Sequence, residues 1–146
     1  MKVFTMGFTQ KSAEQFFGLI SENKIELLID VRLNNQSQLA GFTKGRDLEF
    51  FLQKLCDCGY EHNIVFAPTK EILNGYKKQQ ISWEDYVIEY NMLLEKREVE
   101  KIFKEKYMQF NRILLLCSEA AAEKCHRRLL AEKLENSISD IEIIHI

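Results

Sequence analysis

The order of apolar and polar positions divides the chain into alternating strands and helices. Lys2–Met6 reads as a short strand ending at Gly7. Ser12–Asn23 follows as a helix, with Phe16, Phe17, Leu19 and Ile20 on or near its apolar face and Ser12 and Gln15 at capping-box spacing. Ile25–Val31 is a near-continuous apolar run, the pattern of a strand buried on both faces. Leu48, Phe51, Leu52 and Leu55 fall at i, i+3, i+4 and i+7, which predicts a helix over Asp47–Cys56; Gly59 suits the position past its end.

Tyr60–Phe66 predicts a third strand and Thr69–Lys78 a short helix. A longer helical region, capped through Ser82 and Asp85, runs to about Tyr107 with a break near Arg97. Arg112–Leu116 is expected as a fourth strand, Ala120–Glu135 as a helix and Ile141–Ile146 as the final strand. Strands separated by helices specify the α/β class. The expectation is a single three-layer domain over residues 1–146, a mostly parallel sheet of about five strands with helices on both faces.

Composition narrows the partners more than the fold. A chain of 146 residues supplies one core rather than two. Its 20 Lys and Arg nearly balance 22 Asp and Glu, so the basic excess usual in non-specific nucleic-acid binding is missing. A local basic groove, and with it a nucleic-acid partner, stays open. No apolar run approaches the roughly 20 residues of a membrane span, and MKVFTMGFTQ lacks the apolar segment of a signal peptide. No membrane partner and a cytoplasmic location are therefore expected, with the four cysteines reduced. The sequence does not set the oligomeric state.

The densest chemistry follows the fourth strand. Cys117 closes the apolar run, Glu119 comes next, and Cys125, His126 and Arg127 come shortly after. Ligands of open α/β sheets bind at the carboxyl ends of the strands. Unpaired N–H groups at a helix start favour a thiolate, so Cys117 is the candidate nucleophile; simple burial of a cysteine is the competing reading. Glu119 and His126 are the candidate acid–base groups, and Arg127 a candidate anion clamp. Read as positions within a helix, Cys125, His126 and Arg127 fan out at about 100° per residue, so no more than two should converge on the site.

Asp30 and Arg32, at the end of the second strand, read equally as ligand-binding groups or as a buried ion pair. The amide-rich stretch after them, Asn34, Asn35, Gln36, Ser37 and Gln38, suits either turn hydrogen bonds or recognition of a neutral polar ligand. Gly7 would let backbone approach a ligand closely. Structural zinc wants four ligands in paired short spacings, which Cys117, Cys125 and His126 do not offer; no metal and no cofactor is expected.

Four stretches together carry a family resemblance: TMGFT, LLIDVR, LLLCSE and CHRRLL. They resemble the family catalogued as domain of unknown function 488, whose pattern is approximately T-x-G-[ST], D-[VI]-R, C-x-E and C-H-R. All four occur in that order, across the whole chain. The resemblance implies a compact α/β domain with a pocket formed by Thr5, Gly7, Asp30, Arg32, Cys117, Glu119, Cys125, His126 and Arg127. It brings no established activity. Phe8-Thr9 departs from the small polar residue that often follows the family's glycine. A partial likeness to rhodanese-type sulfurtransferases, in IDVR and in a cysteine ending a later strand, fails at the loop. SEAAAEK follows Cys117, and Glu123 stands where a phosphatase-type loop has arginine.

Two functional readings stand. One is a small enzyme acting on a nucleotide-like or nucleic-acid-derived small molecule at the Cys/Glu/His/Arg/Asp pocket. The other is a non-catalytic module that binds a nucleotide or a nucleic-acid end. Against both stands a purely structural network, with Asp30–Arg32 and Glu119–Arg127 as buried ion pairs.

Overall fold

Five parallel strands form the middle layer of the computed structural model, which describes residues 1–36 and 40–146. They are β1 (Lys2–Gly7), β2 (Leu27–Asp30), β3 (Gly59–His62), β4 (Arg112–Cys117) and β5 (Glu142–His145), in the order β3-β2-β4-β1-β5. The helices are α1 (Ala13–Glu22), α2 (Gly45–Cys56), α3 (Lys70–Lys77), α4 (Trp83–Lys96), α5 (Val99–Tyr107) and α6 (His126–Ser137).

Strand alternation sorts the apolar run of β4 onto two faces. Leu114 and Leu116 pack with Phe16, Phe17 and Ile20 of α1 and with Leu48 and Leu52 of α2. Ile113, Leu115 and Cys117 pack on the opposite face, with Tyr86 and Tyr90 of α4, Phe103 of α5 and Leu129 and Leu130 of α6. Burial on both faces explains why β1, β2 and β4 read as continuous apolar runs. Among the described residues, no helix is long and apolar enough to cross a membrane.

This topology decides where a site can form. The chain leaves β1 and β2 toward the α1/α2 face, whereas it leaves β4 toward the α6 face. Connections that diverge from neighbouring strands open a crevice at their carboxyl ends. Cys117, the last residue of β4 and the register partner of Gly7, stands at that divergence.

Ser12 caps α1 with a full capping box: its side chain accepts from the Gln15 N–H, and the Gln15 side chain accepts from the Ser12 N–H. Ser12→Ala should therefore lose about 1 kcal/mol. An unchanged urea midpoint would show that the box contributes nothing.

Three boundaries depart from the sequence pattern. The third strand ends at His62, and Ile64–Phe66 turns as a 3-10 segment because the Asn63 side chain accepts from the Val65 N–H. α2 ends on Asp57, which takes the left-handed conformation (φ 50°) expected of a C-terminal glycine, while Gly59 opens β3. The last helix begins at His126 rather than Ala120; Cys125 is its N-cap, and the segment between it and β4 is loop. The break near Arg97 falls at Glu98 (φ 52°), between α4 and α5.

Candidate functional site

α6 starts late, so Cys125 is its N-cap rather than a helical residue, and two of the three side chains, Cys125 and His126, converge at the site while Arg127 turns to the loop. Loop residues reverse the chain, so the sulfurs of Cys117 and Cys125 and a ring nitrogen of His126 all lie within 4.8 Å of one another. All three side chains are buried. His126 Nε2 sits 2.9 Å from the Val31 carbonyl oxygen. A carbonyl only accepts, so Nε2 carries a proton, which leaves Nδ1 as the nitrogen able to accept. Cys117 Sγ stands off the ring edge, 3.6 Å from Nδ1 and 3.7 Å from Nε2. Tyr90 closes the other side, its ring edge-on to the imidazole and its hydroxyl fixed by donation to the Phe66 carbonyl.

Cys125, facing the Cys117 sulfur, does most to hold the Cys117 thiol below its ordinary pKa; burial opposes this, and the Ser118 N–H, Arg127 and the Glu119 N–H add to it. The same contact, with burial, pushes Cys125 up. One thiol is thus biased toward thiolate and its neighbour toward the protonated form. The trio also supplies sulfur and nitrogen donors for a soft metal ion, but as a three-donor set, one short of a closed structural zinc site.

Arg127 is 1 % exposed and meets no carboxylate among the described residues. Nη1 donates to the Glu119 carbonyl at 2.5 Å and Nη2 to the Ala120 carbonyl at 3.2 Å, while Nε is unpartnered. The expected Glu119–Arg127 ion pair is therefore a pair of backbone contacts: Arg127 braces the loop, and the Glu119 carboxylate stays exposed. Lys11, donating to the Gly7 carbonyl, is a second cation nearby. Burial and then Arg127 lower its pKa.

Gly7 is where this loop packs against β1. A Cβ at Gly7 would lie 1.6 Å from the Glu119 carbonyl oxygen, so the missing side chain is what lets β1 and the loop pack. Thr9 adds a hydroxyl bond of 2.8 Å to the Ser118 carbonyl. Thr5 is fully buried two residues down β1, its hydroxyl against His145 Nδ1 at 2.5 Å.

Asp30 and Arg32 form a closed pair beside this cluster. Nε reaches Oδ1 at 2.8 Å and Nη2 reaches Oδ2 at 2.7 Å. Tyr60 donates to Oδ2, the Thr43 carbonyl accepts from Nη2, and the Phe8 ring stacks under the guanidinium. Burial first, then the Asp30 carboxylate, holds the Tyr60 phenol protonated. The pair is satisfied from within the protein. In the amide-rich stretch, Asn34 accepts from the Gln36 N–H, the turn geometry such residues favour, and Asn35 donates to Tyr60. Ser37 and Gln38 lie outside the described residues.

Thr43, Tyr60 and Lys11 were not singled out by sequence. Their contacts come from separate elements, and only an unpaired buried Asp or Arg would have signalled the need for them. Two surface clefts, about 490 and 560 Å³, lie at the amino end of the sheet, around Lys24–Glu26 and around Met1 and Asn111, away from Cys117.

No curated protein and no solved structure matches this chain. The model of the family described as Domain of unknown function DUF488 matches residues 12–134, and the chain belongs to that family.

Proposed function

We propose that the protein is a small thiol-dependent enzyme acting on an anionic, nucleotide-like substrate at the carboxyl edge of the sheet. The observation that carries this reading is the Cys117–His126 contact, with the imidazole held in one tautomer by Val31. A nucleophilic thiol needs a base within reach and a third group to orient that base. His126 Nδ1 takes the Cys117 proton, the thiolate attacks an electrophilic centre, and the leaving group recovers the proton from His126. Water then releases the product from sulfur.

The substrate class is supported by Arg127 and Lys11, two cations without acidic partners among the described residues, and by the exposed Asn34 and Gln36 beside the crevice. The exposed Glu119 carboxylate can bind a hydroxyl or amine, or exchange a proton, once a substrate is seated. Cys117 is 5 % exposed, so a nucleotide-sized substrate reaches it only when the loop carrying Glu119 moves aside.

Two measurements test the reading. Iodoacetamide alkylation of Cys117, followed by peptide mass across a pH series, should show an inflection below the roughly 8.5 of a free cysteine. A thermal-shift screen of nucleotides and nucleosides should give a hit that Arg127→Met weakens, and the stabilising ligand should be turned over by wild type but not by Cys117→Ser. Turnover retained in Cys117→Ser removes the nucleophile role. Stabilisation without turnover assigns the site to binding alone.

A further inference from the structure

Nucleophilic chemistry needs one thiol, and this site holds two. Cys125 occupies the N-cap of α6 with extended backbone (φ −136°). Ser, Thr, Asp or Asn there would cap the helix through a side-chain oxygen. Cys125 makes no capping hydrogen bond. Its sulfur is turned toward Cys117, within the same 4.8 Å cluster as His126. No strand or helix intervenes between the two cysteines, and the residues joining them are loop.

The other two cysteines are engaged elsewhere. Cys56 donates to the Phe17 carbonyl and Cys58 to the Gly59 carbonyl, near the amino end of the sheet. Burial pushes the Cys58 thiol up to about 12. The thiol with a lowered pKa and a second sulfur facing it is Cys117, at the carboxyl edge.

Resting on the thiolate reading of Cys117, we propose that Cys117 and Cys125 are a redox pair that reduces a hydroperoxide and closes an intramolecular disulfide. A hydroperoxide is small enough for a sulfur that is only 5 % exposed. The Cys117 thiolate attacks the outer peroxide oxygen, the O–O bond breaks, and the departing alkoxide or hydroxide takes the proton held by His126. Cys117 is left as a sulfenic acid. The Cys125 sulfur then attacks the Cys117 sulfur, the S–O bond breaks, and hydroxide leaves as water with the Cys125 proton. Two thiols are oxidised to one disulfide while one peroxide is reduced to an alcohol, or to water, and one further water. A dithiol restores the pair by exchange.

The test uses the full chain, reduced and then treated with one equivalent of hydrogen peroxide. It is alkylated and mapped by non-reducing peptide mass spectrometry. The expected product is one disulfide joining the Cys117 and Cys125 peptides, reversed by dithiothreitol, with Cys56 and Cys58 still alkylated. In Cys125→Ser, and likewise in Cys125→Ala, Cys117 should be trapped as sulfenic acid by dimedone. Sulfenic acid at Cys117 in wild type with Cys125 still free overturns the pair but leaves the nucleophile reading standing. A Cys117 inert to both peroxide and iodoacetamide overturns both. Stoichiometric zinc that shields both thiols until it is chelated overturns the pair and makes the trio a metal site.

Discussion

Arg32→Met is expected to destabilise the protein by about 3–5 kcal/mol, the cost of leaving a buried charge without its partner. Asp30 is fully buried and Arg32 is 3 % exposed, so solvent cannot replace either side of the bond. With the guanidinium gone, Asp30 keeps, among the described residues, the Tyr60 hydroxyl and the backbone N–H of residue 32. The Thr43 carbonyl loses a 2.6 Å donor, and the 3-10 turn Gly41–Thr43 loses its tie to β2. Asp30→Asn/Arg32→Met should recover part of the loss, because it removes both charges rather than stranding one. Urea denaturation of the three proteins measures this. If Arg32→Met shifts the midpoint by less than a surface substitution would, the pair is not holding the sheet edge. A nucleotide that stabilises wild type should still bind the double variant if the pair is structural, whereas loss of that binding would return Asp30 and Arg32 to the ligand.

Periodicity carried the fold a long way. The apolar runs at Lys2–Met6, Ile25–Val31 and Arg112–Leu116 became the three central strands, and the Ser12/Gln15 spacing became an observed capping box. It failed where local preference yields to tertiary contact. SEAAAEK has the composition of a helix, yet Arg127 takes the Glu119 and Ala120 carbonyls and Thr9, just past β1, holds Ser118, so this stretch turns instead. That single difference decided the site. His126 and Arg127 are helical as expected and point apart, while Cys125, on the extended N-cap, brings its sulfur to Cys117 and the imidazole. The Asp30–Arg32 pair was legible because two charges closing an apolar strand need partners. Its supports, Tyr60 and Thr43, were not, since nothing in their local sequence marks a contact across 30 or 11 positions.

The same loop makes Gly7→Ala the most damaging small change available at the site. The new methyl group would meet the Glu119 carbonyl at 1.6 Å and its carbon at 2.4 Å, and both are backbone atoms that no side-chain rotation can clear. The loop must shift, and that carbonyl is also the acceptor of Arg127 Nη1. Overpacking costs about 1–3 kcal/mol, and a charge-assisted bond lost by a buried guanidinium adds about 1.5–3 kcal/mol. The shift also draws the Ser118 and Glu119 N–H groups away from the Cys117 sulfur, where they help to favour the thiolate. The alkylation profile of Cys117 should therefore move to higher pH, a change that loss of stability alone would not produce. Gly18→Ala is the matched control. It lies in α1 with nothing within 4 Å of the added carbon, so it should gain about 0.5–1 kcal/mol from helix propensity and leave the Cys117 profile unmoved. A Gly7→Ala protein that melts with wild type and keeps the wild-type profile would mean that the loop is not braced against β1. The electrostatic setting of Cys117 would then come chiefly from Cys125.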